Sequence, residues 1–203
     1  MTLFTDTVRK SPDSVLMQYN LGNEYARQSL IDEAIKKYKT ALSLNPDHEE
    51  AHNNLGIAYA AQNRFKEAVI EYKTALRLKP DYDEAYNNLG IAYAKQNLID
   101  EAIDAYKRAL RFNPDYVEAH YNIGIVYAFQ DRFEEAIIEY EVALKLKPDY
   151  AQAHNNLGIA YAVQKRFEEA EREFITALRL KPDYHDARIN LEVLYQKMKI
   201  IKR

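Results

Sequence analysis

The side chains best suited to chemistry in this chain of 203 residues are three histidines, His52, His120 and His154, and a large stock of carboxylates. Imidazole ligates zinc at about 2.0–2.1 Å and moves protons near neutral pH, and paired carboxylates do general acid–base work. Spacing argues against both. The histidines stand at multiples of one period, so each occupies the same place in a separate copy of a pattern, and helices packed about 8–10 Å apart hold such copies too far from one another to share an ion. The acids recur in the same way, whereas a catalytic pair is unique. With no cysteine in the chain, a thiolate metal site, an iron–sulfur centre and a cysteine nucleophile are excluded. No glycine-rich run cradles a phosphate. The expectation is a chain with no enzymatic activity, no metal and no cofactor.

The period is set by the residues that punctuate helices. All 6 prolines, Pro12, Pro46, Pro80, Pro114, Pro148 and Pro182, and all 5 glycines, Gly22, Gly56, Gly90, Gly124 and Gly158, recur every 34 residues. A period of that size means stacked supersecondary units. With position 1 at Val15, Glu49, Asp83, Val117 and Ala151, the full repeats are 15–48, 49–82, 83–116, 117–150 and 151–184. A partial repeat occupies 1–14, and a capping helix and tail occupy 185–203. Apolar residues fall at helical spacing, Ala51, Leu55, Ala58 and Tyr59 on a first helix and Phe65, Ala68, Val69, Tyr72, Leu76 and Leu78 on a second. Asp47, Asp81, Asp115, Asp149 and Asp183, each followed three residues on by an acid or amide, predict a capping box at every first helix. Asn63 and Asn97 suit a left-handed turn between the helices; Ser29, Asp131 and Lys165 suit it less well.

Leu55, Gly56, Tyr59, Ala68, Tyr72, Ala75 and Pro80, with their counterparts in the other copies, resemble the signature of the tetratricopeptide repeat (TPR) family. The resemblance implies an all-α fold, an α-solenoid of TPR helix-turn-helix repeats forming a right-handed superhelix. First helices would line its concave groove and second helices its back. One departure is regular: the family's tryptophan at position 4 is Gln18, His52, Tyr86, His120 or His154 here, so these side chains are expected to pack in the tryptophan slot. Gly56 and its equivalents should let the second helix approach the first.

The face of each first helix opposite the buried stripe carries positions 2, 5, 6 and 9. Position 6 is Asn20, Asn54, Asn88, Asn122, Asn156 and Asn190, and position 5 adds Asn53, Asn87 and Asn155. Asparagine is a mediocre helix former, so an unbroken column of it asks for a reason. A carboxamide both donates and accepts. A ladder of them either grips the backbone of an extended peptide, which is the leading reading, or bridges adjacent helices. The column resembles the asparagine ladder of the TPR superhelix of O-linked N-acetylglucosamine transferase. Ile57, Ile91, Ile125 and Ile159 at position 9 make the floor partly apolar, and Glu50, Glu84 and Glu118 at position 2 favour a ligand with some Lys or Arg. The same acids also suit a helix start on dipole grounds. TPR domains that hold acidic chaperone tails use basic residues at positions 2, 5 and 6; none stands there in this chain.

The expected function is a non-enzymatic protein–protein interaction scaffold that binds an extended peptide or partner segment in its groove. The alternative is the recruiting or regulatory C-terminal arm of a larger bacterial membrane glycosyltransferase-like protein, whose junction the stretch from Leu3 to Pro12 resembles. With 28 Lys and Arg against 31 Asp and Glu, the net charge of -3 lacks the basic field that nucleic acid requires. No apolar run approaches the ~18 residues of a membrane span, and the cytoplasm is the default compartment. Phe4 and Val8 align with a second helix whose first helix would lie upstream of Met1, which predicts weak self-association through the N-terminal end.

Overall fold

The computed structural model describes residues 14–201, and among these every regular element is an α-helix. The helix expected over residues 1–10, with Phe4 and Val8, lies outside the described residues. The chain divides into two compact units, Met1–Phe112 and Asn113–Arg203. The first holds α1 (Val15–Arg27), α2 (Ile31–Leu44), α3 (Glu49–Ala61), α4 (Phe65–Leu78), α5 (Asp83–Lys95) and α6 (Ile99–Phe112). Each odd helix pairs with the next in a hairpin, and α2 packs on α3 as α4 packs on α5. The second unit holds α7 (Val117–Phe129), α8 (Phe133–Leu146), α9 (Ala151–Val163), α10 (Phe167–Leu180) and α11 (His185–Ile201). There α7 pairs with α8 and α9 with α10, α8 packs on α9, and α11 covers α10. This is the stacking of an α-solenoid, in which each hairpin buries its apolar face only against its neighbours.

Within a hairpin the chain reverses through one residue in the left-handed region. Asn63 sits at φ 58°, and Ser29, Asn97, Asp131 and Lys165 take the same conformation. Around Asn63 the Arg64 N–H donates to the Tyr59 carbonyl at 2.9 Å and the Asn63 N–H to the Ala60 carbonyl at 2.9 Å, the paired bonds of a Schellman motif. The residue after the turn then folds back over the helix it has left: the Arg64 guanidinium lies 4.3 Å from the Tyr59 ring centre, and Arg132 and Arg166 lie 4.2 Å from those of Tyr127 and Tyr161.

Between hairpins the structure corrects the expected capping box. The residues preceding α3, α5, α7 and α9 are His48, Tyr82, Tyr116 and Tyr150, and their side chains form no cap hydrogen bond. The aspartates are used one step earlier. Tyr82 N–H donates to the Lys79 carbonyl at 3.3 Å, Tyr116 to Asn113 at 3.2 Å and Tyr150 to Lys147 at 3.3 Å. Proline and aspartate are therefore the two central residues of a β-turn, with proline supplying the φ of its first corner, and the helix begins beyond them. Ser14 is a true cap, accepting from the Met17 N–H at 3.2 Å.

Small residues set the helix separations. A Cβ built on Gly56 would lie 2.6 Å from Tyr72 Cε1, and one on Gly90 2.5 Å from Tyr106 Cε1. The glycine column makes room for an aromatic ring of the second helix, tyrosine at Gly22, Gly56, Gly90 and Gly124 and Phe174 at Gly158. Ala68, Ala75, Ala102 and Ala109 are fully buried where second helices meet their neighbours. In the first unit Tyr38, Leu55, Tyr59, Tyr72 and Leu89 join one continuous core.

Candidate functional site

The exposed face of the first helices is mixed in character. Ile57, Ile125 and Ile159 are 41%, 39% and 38% exposed, which is high for isoleucine in a folded chain, and Ile91 is half-buried. Glu84 and Glu118 are exposed, Glu50 is partly so, and Asn20 is exposed at the start of the first unit. Asn54, Asn88, Asn122, Asn156 and Asn190 are half-buried. Beside Asn54 and Ile57 a cavity of about 290 Å³ opens between α1 and α3, lined also by Asn23, Ala26 and Ala61.

Position 5 lies elsewhere. Asn53, Asn87 and Asn155 are 0%, 4% and 3% exposed, so a bound peptide cannot reach their side chains. Asn53 and Asn155 sit between successive first helices of their own unit, where position 6 of one repeat reaches position 5 of the repeat before it. Asn88 Nδ2 donates to Asn53 Oδ1 at 3.1 Å and Asn190 Nδ2 to Asn155 Oδ1 at 2.9 Å. Where position 5 is tyrosine its hydroxyl accepts instead, Tyr19 from Asn54 and Tyr121 from Asn156, both at 3.1 Å. Asn54 Nδ2 is shared with Asn23 Oδ1 at 2.9 Å, which also accepts from the Tyr38 hydroxyl at 2.9 Å. Burial, with the neighbouring Tyr19, pushes the Tyr38 hydroxyl up to about 12, so it remains a donor. The amide N–H groups of Asn54, Asn88, Asn156 and Asn190 are thus committed to bridges between helices. Among the described residues, none donates a hydrogen bond to the Oδ1 atoms of Asn54, Asn88 and Asn190.

The histidines are paired one by one. His52 Nδ1 lies 2.6 Å from Glu71 Oε2 and Nε2 lies 2.9 Å from the Pro46 carbonyl oxygen. His120 repeats the arrangement with Glu139 and Pro114, and His154 with Glu173 and Pro148. A neutral imidazole carries one N–H and faces two acceptors here; the protonated ring satisfies both. Burial lowers the pKa of His52, but the bonds to Glu71 and Pro46 outweigh it and hold the pKa above its ordinary value. His120 is raised first by its bond to Glu139, against burial. Both nitrogens of each ring are occupied, which leaves no lone pair for a metal. His48, Glu49 and Glu50 do bring three ligand atoms within 4.8 Å of one another, but they are sequence neighbours and His48 Nδ1 pairs with Glu50 at 3.1 Å.

Models of known families match almost the whole described stack. Those described as tetratricopeptide repeat cover residues 19–83, 71–104 and 151–184, and one described as TPR repeat covers 95–131 and 129–165. The chain belongs to the tetratricopeptide repeat family. Among solved structures this TPR chain is similar to MamA, with 30% identity and a TM-score of 0.72 over 80% of this chain and 95% of that one. It is similar to YrrB, described as a TPR protein with an unusual peptide-binding site, at 24% identity and a TM-score of 0.68 over 91% and 95% of the two chains. TTC0263, a thermophilic TPR protein of Thermus thermophilus, shares 24% identity over 90% of this chain and 100% of its own, with a TM-score of 0.72. The last two likenesses show the fold alone. No curated protein sequence matches the chain.

The sequence placed the asparagine and isoleucine columns of this TPR chain on its first helices but did not point to Asn23 or to the glutamates that hold the histidines. Asn23 takes part in the first bridge, and the signal for it was its presence at position 9 where the other repeats carry isoleucine. Glu71, Glu139 and Glu173 hold the histidines, and their signal was that positions 4 and 23 change together: His with Glu in three repeats, Tyr86 with Ala105 in another.

Proposed function

We propose that this chain is a non-enzymatic protein-interaction scaffold, and that the first-helix face of each unit binds an extended, donor-rich partner segment. The observation that carries the reading is the division of labour within the asparagine column. Its N–H groups bridge helices while Oδ1 atoms such as those of Asn54 and Asn88 remain open acceptors, suited to peptide N–H groups whatever the side chains. Exposed isoleucines beside them supply apolar contact, and Glu84 and Glu118 favour Lys or Arg in the ligand. The peptide-binding description of YrrB is consistent with this reading.

The test is selection of an unbiased peptide library on the full chain, followed by affinity measurement with Ile57→Asp, Ile125→Asp and Glu84→Lys. These residues are exposed or partly exposed, so the variants should keep their melting temperature. Enrichment of basic extended peptides, with affinity lost in the variants, supports the face. Selected peptides that bind all three variants undiminished would refute it.

A further inference from the structure

A second site arises where the repeat departs from its own pattern. In the hairpin of α3 and α4, the first helix and the second are tied by His52 and Glu71. In the hairpin of α5 and α6 the equivalent residues are Tyr86 and Ala105. Two more columns change on the same side of α6: Asp104 is the acid in a column that otherwise holds Lys36, Ile70, Ile138 and Arg172, and Arg108 the charge in one that holds Thr40, Thr74, Val142 and Thr176. The Tyr86 ring stacks on Phe112, with centroids 5.8 Å apart and planes 13° apart. Arg108 Nε turns to Asp104 Oδ2 at 2.8 Å. Arg108 also bonds the Tyr86 side chain across the hairpin, and beside this tie a cleft of about 540 Å³ opens between α4 and α6 over α5.

The cleft has an apolar floor and walls of opposite sign. Leu76, Leu89, Tyr93 and Ala105 line its depth. Lys73 and Arg77, one turn apart on α4, stand on one wall, and Asp100 and Glu101 at the start of α6 stand on the other. Lys73 Nζ lies 5.6 Å above the Tyr93 ring, and among the described residues neither it nor Arg77 forms an ion pair with Asp100 or Glu101. The cleft keeps the two walls apart. Its volume lies within the range of about 300–1,000 Å³ usual for ligand sites.

We infer that this cleft between α4 and α6 is a second binding site, for a short peptide segment that presents an apolar side chain flanked by one acidic and one basic residue. The apolar group enters over Ala105, the acid meets Lys73 and Arg77, and the base meets Asp100 and Glu101. A peptide fits better than a single small zwitterion because the positive charges run a full turn, about 5–6 Å, along the α4 wall from Lys73 to Arg77. The site lies on the second-helix side and does not depend on the first-helix face.

The test is NMR titration of the isotope-labelled full chain with three capped pentapeptides: acetyl-Glu-Gly-Phe-Gly-Lys-amide, its reverse-order counterpart, and a neutral control with serine in place of both charges. One of the charged peptides should shift resonances of α4, α5 and α6, and the neutral control should bind about tenfold more weakly. Arg77→Glu, at an exposed position, should abolish the shifts. Tyr86→His with Ala105→Glu should close the cleft and abolish them too, while Ile57→Asp on the other face should leave them intact. Equal binding of the neutral peptide, equal shifts from free phenylalanine, or full binding by Arg77→Glu would each overturn the inference.

Discussion

His52 Nδ1 lies 2.6 Å from Glu71 Oε2 on the partner helix of its hairpin, and the same relationship recurs between His120 and Glu139 and between His154 and Glu173. In each case the ring is best satisfied when protonated, and its pKa in the folded chain is raised above the ordinary 6.5. Arg77 opposes the shift at His52 and Arg179 at His154, whereas Asp115 reinforces it at His120.

A raised folded pKa gives stability that is fully present below the unfolded value and is lost as pH rises through the folded one. The melting temperature should therefore fall as pH rises above the ordinary histidine value of 6.5 and through the raised folded values of the three rings. His52→Gln, His120→Gln and His154→Gln together should flatten the dependence. An unchanged slope in the triple variant would place the titration elsewhere.

Asn88→Ala removes the donor that reaches the fully buried Asn53 Oδ1. Asn53 Nδ2 already lacks a partner, so the variant leaves the whole carboxamide unsatisfied at a cost of about 1–3 kcal/mol. Replacing both residues by leucine should recover most of that loss. Urea unfolding of the two variants distinguishes a bridging role from a purely ligand-facing one, in which Asn88→Ala would be neutral.

Gly90→Ala sets two effects against each other. Alanine gains about 1 kcal/mol of helix propensity, but its Cβ would lie 2.5 Å from Tyr106 Cε1, well inside contact distance. The overpacking penalty of about 1–3 kcal/mol should win, giving a net loss of stability on denaturant titration. Adding Tyr106→Leu to the variant should relieve it.

Lys165 occupies the left-handed turn at φ 61°, a conformation that costs an ordinary side chain about 1–2 kcal/mol. Lys165→Gly should raise stability by roughly 0.5–1 kcal/mol after the entropy that glycine adds to the unfolded chain is subtracted. Asn63→Gly, where asparagine already tolerates the turn, should change stability less. Equal effects at the two sites would show that strain at Lys165 is not the cause.

The fold was readable because its determinants are periodic and local: the spacing of Leu55, Tyr59, Ala68 and Tyr72 carries both helix and packing face. The Pro-Asp pairs misled because a helix cap and a β-turn draw on the same residues, and only the Tyr82 to Lys79 hydrogen bond separates the two. The asparagine column lies on the first helices, as its spacing implied, but the spacing did not say which neighbour each amide meets. That contact depends on how far one hairpin is shifted along the next, and Asn54 reaches Tyr19 across thirty-five positions. His52 and Glu71 pair across the hairpin in the same way, which no single-helix pattern reveals.

The bridge between position 6 and position 5 also makes the length of the stack a free variable. Its donor is always asparagine, whereas its acceptor is a carboxamide oxygen at Asn53 and a phenol at Tyr19, so the joint does not distinguish which copy it receives. Excising residues 49–82 would bring Asn88 opposite Tyr19, the partner Asn54 has in the intact chain. Duplicating the same stretch would add another joint of an existing kind. Such a molecule can gain or lose whole modules through errors in copying its gene, and each product inherits a seam that already fits.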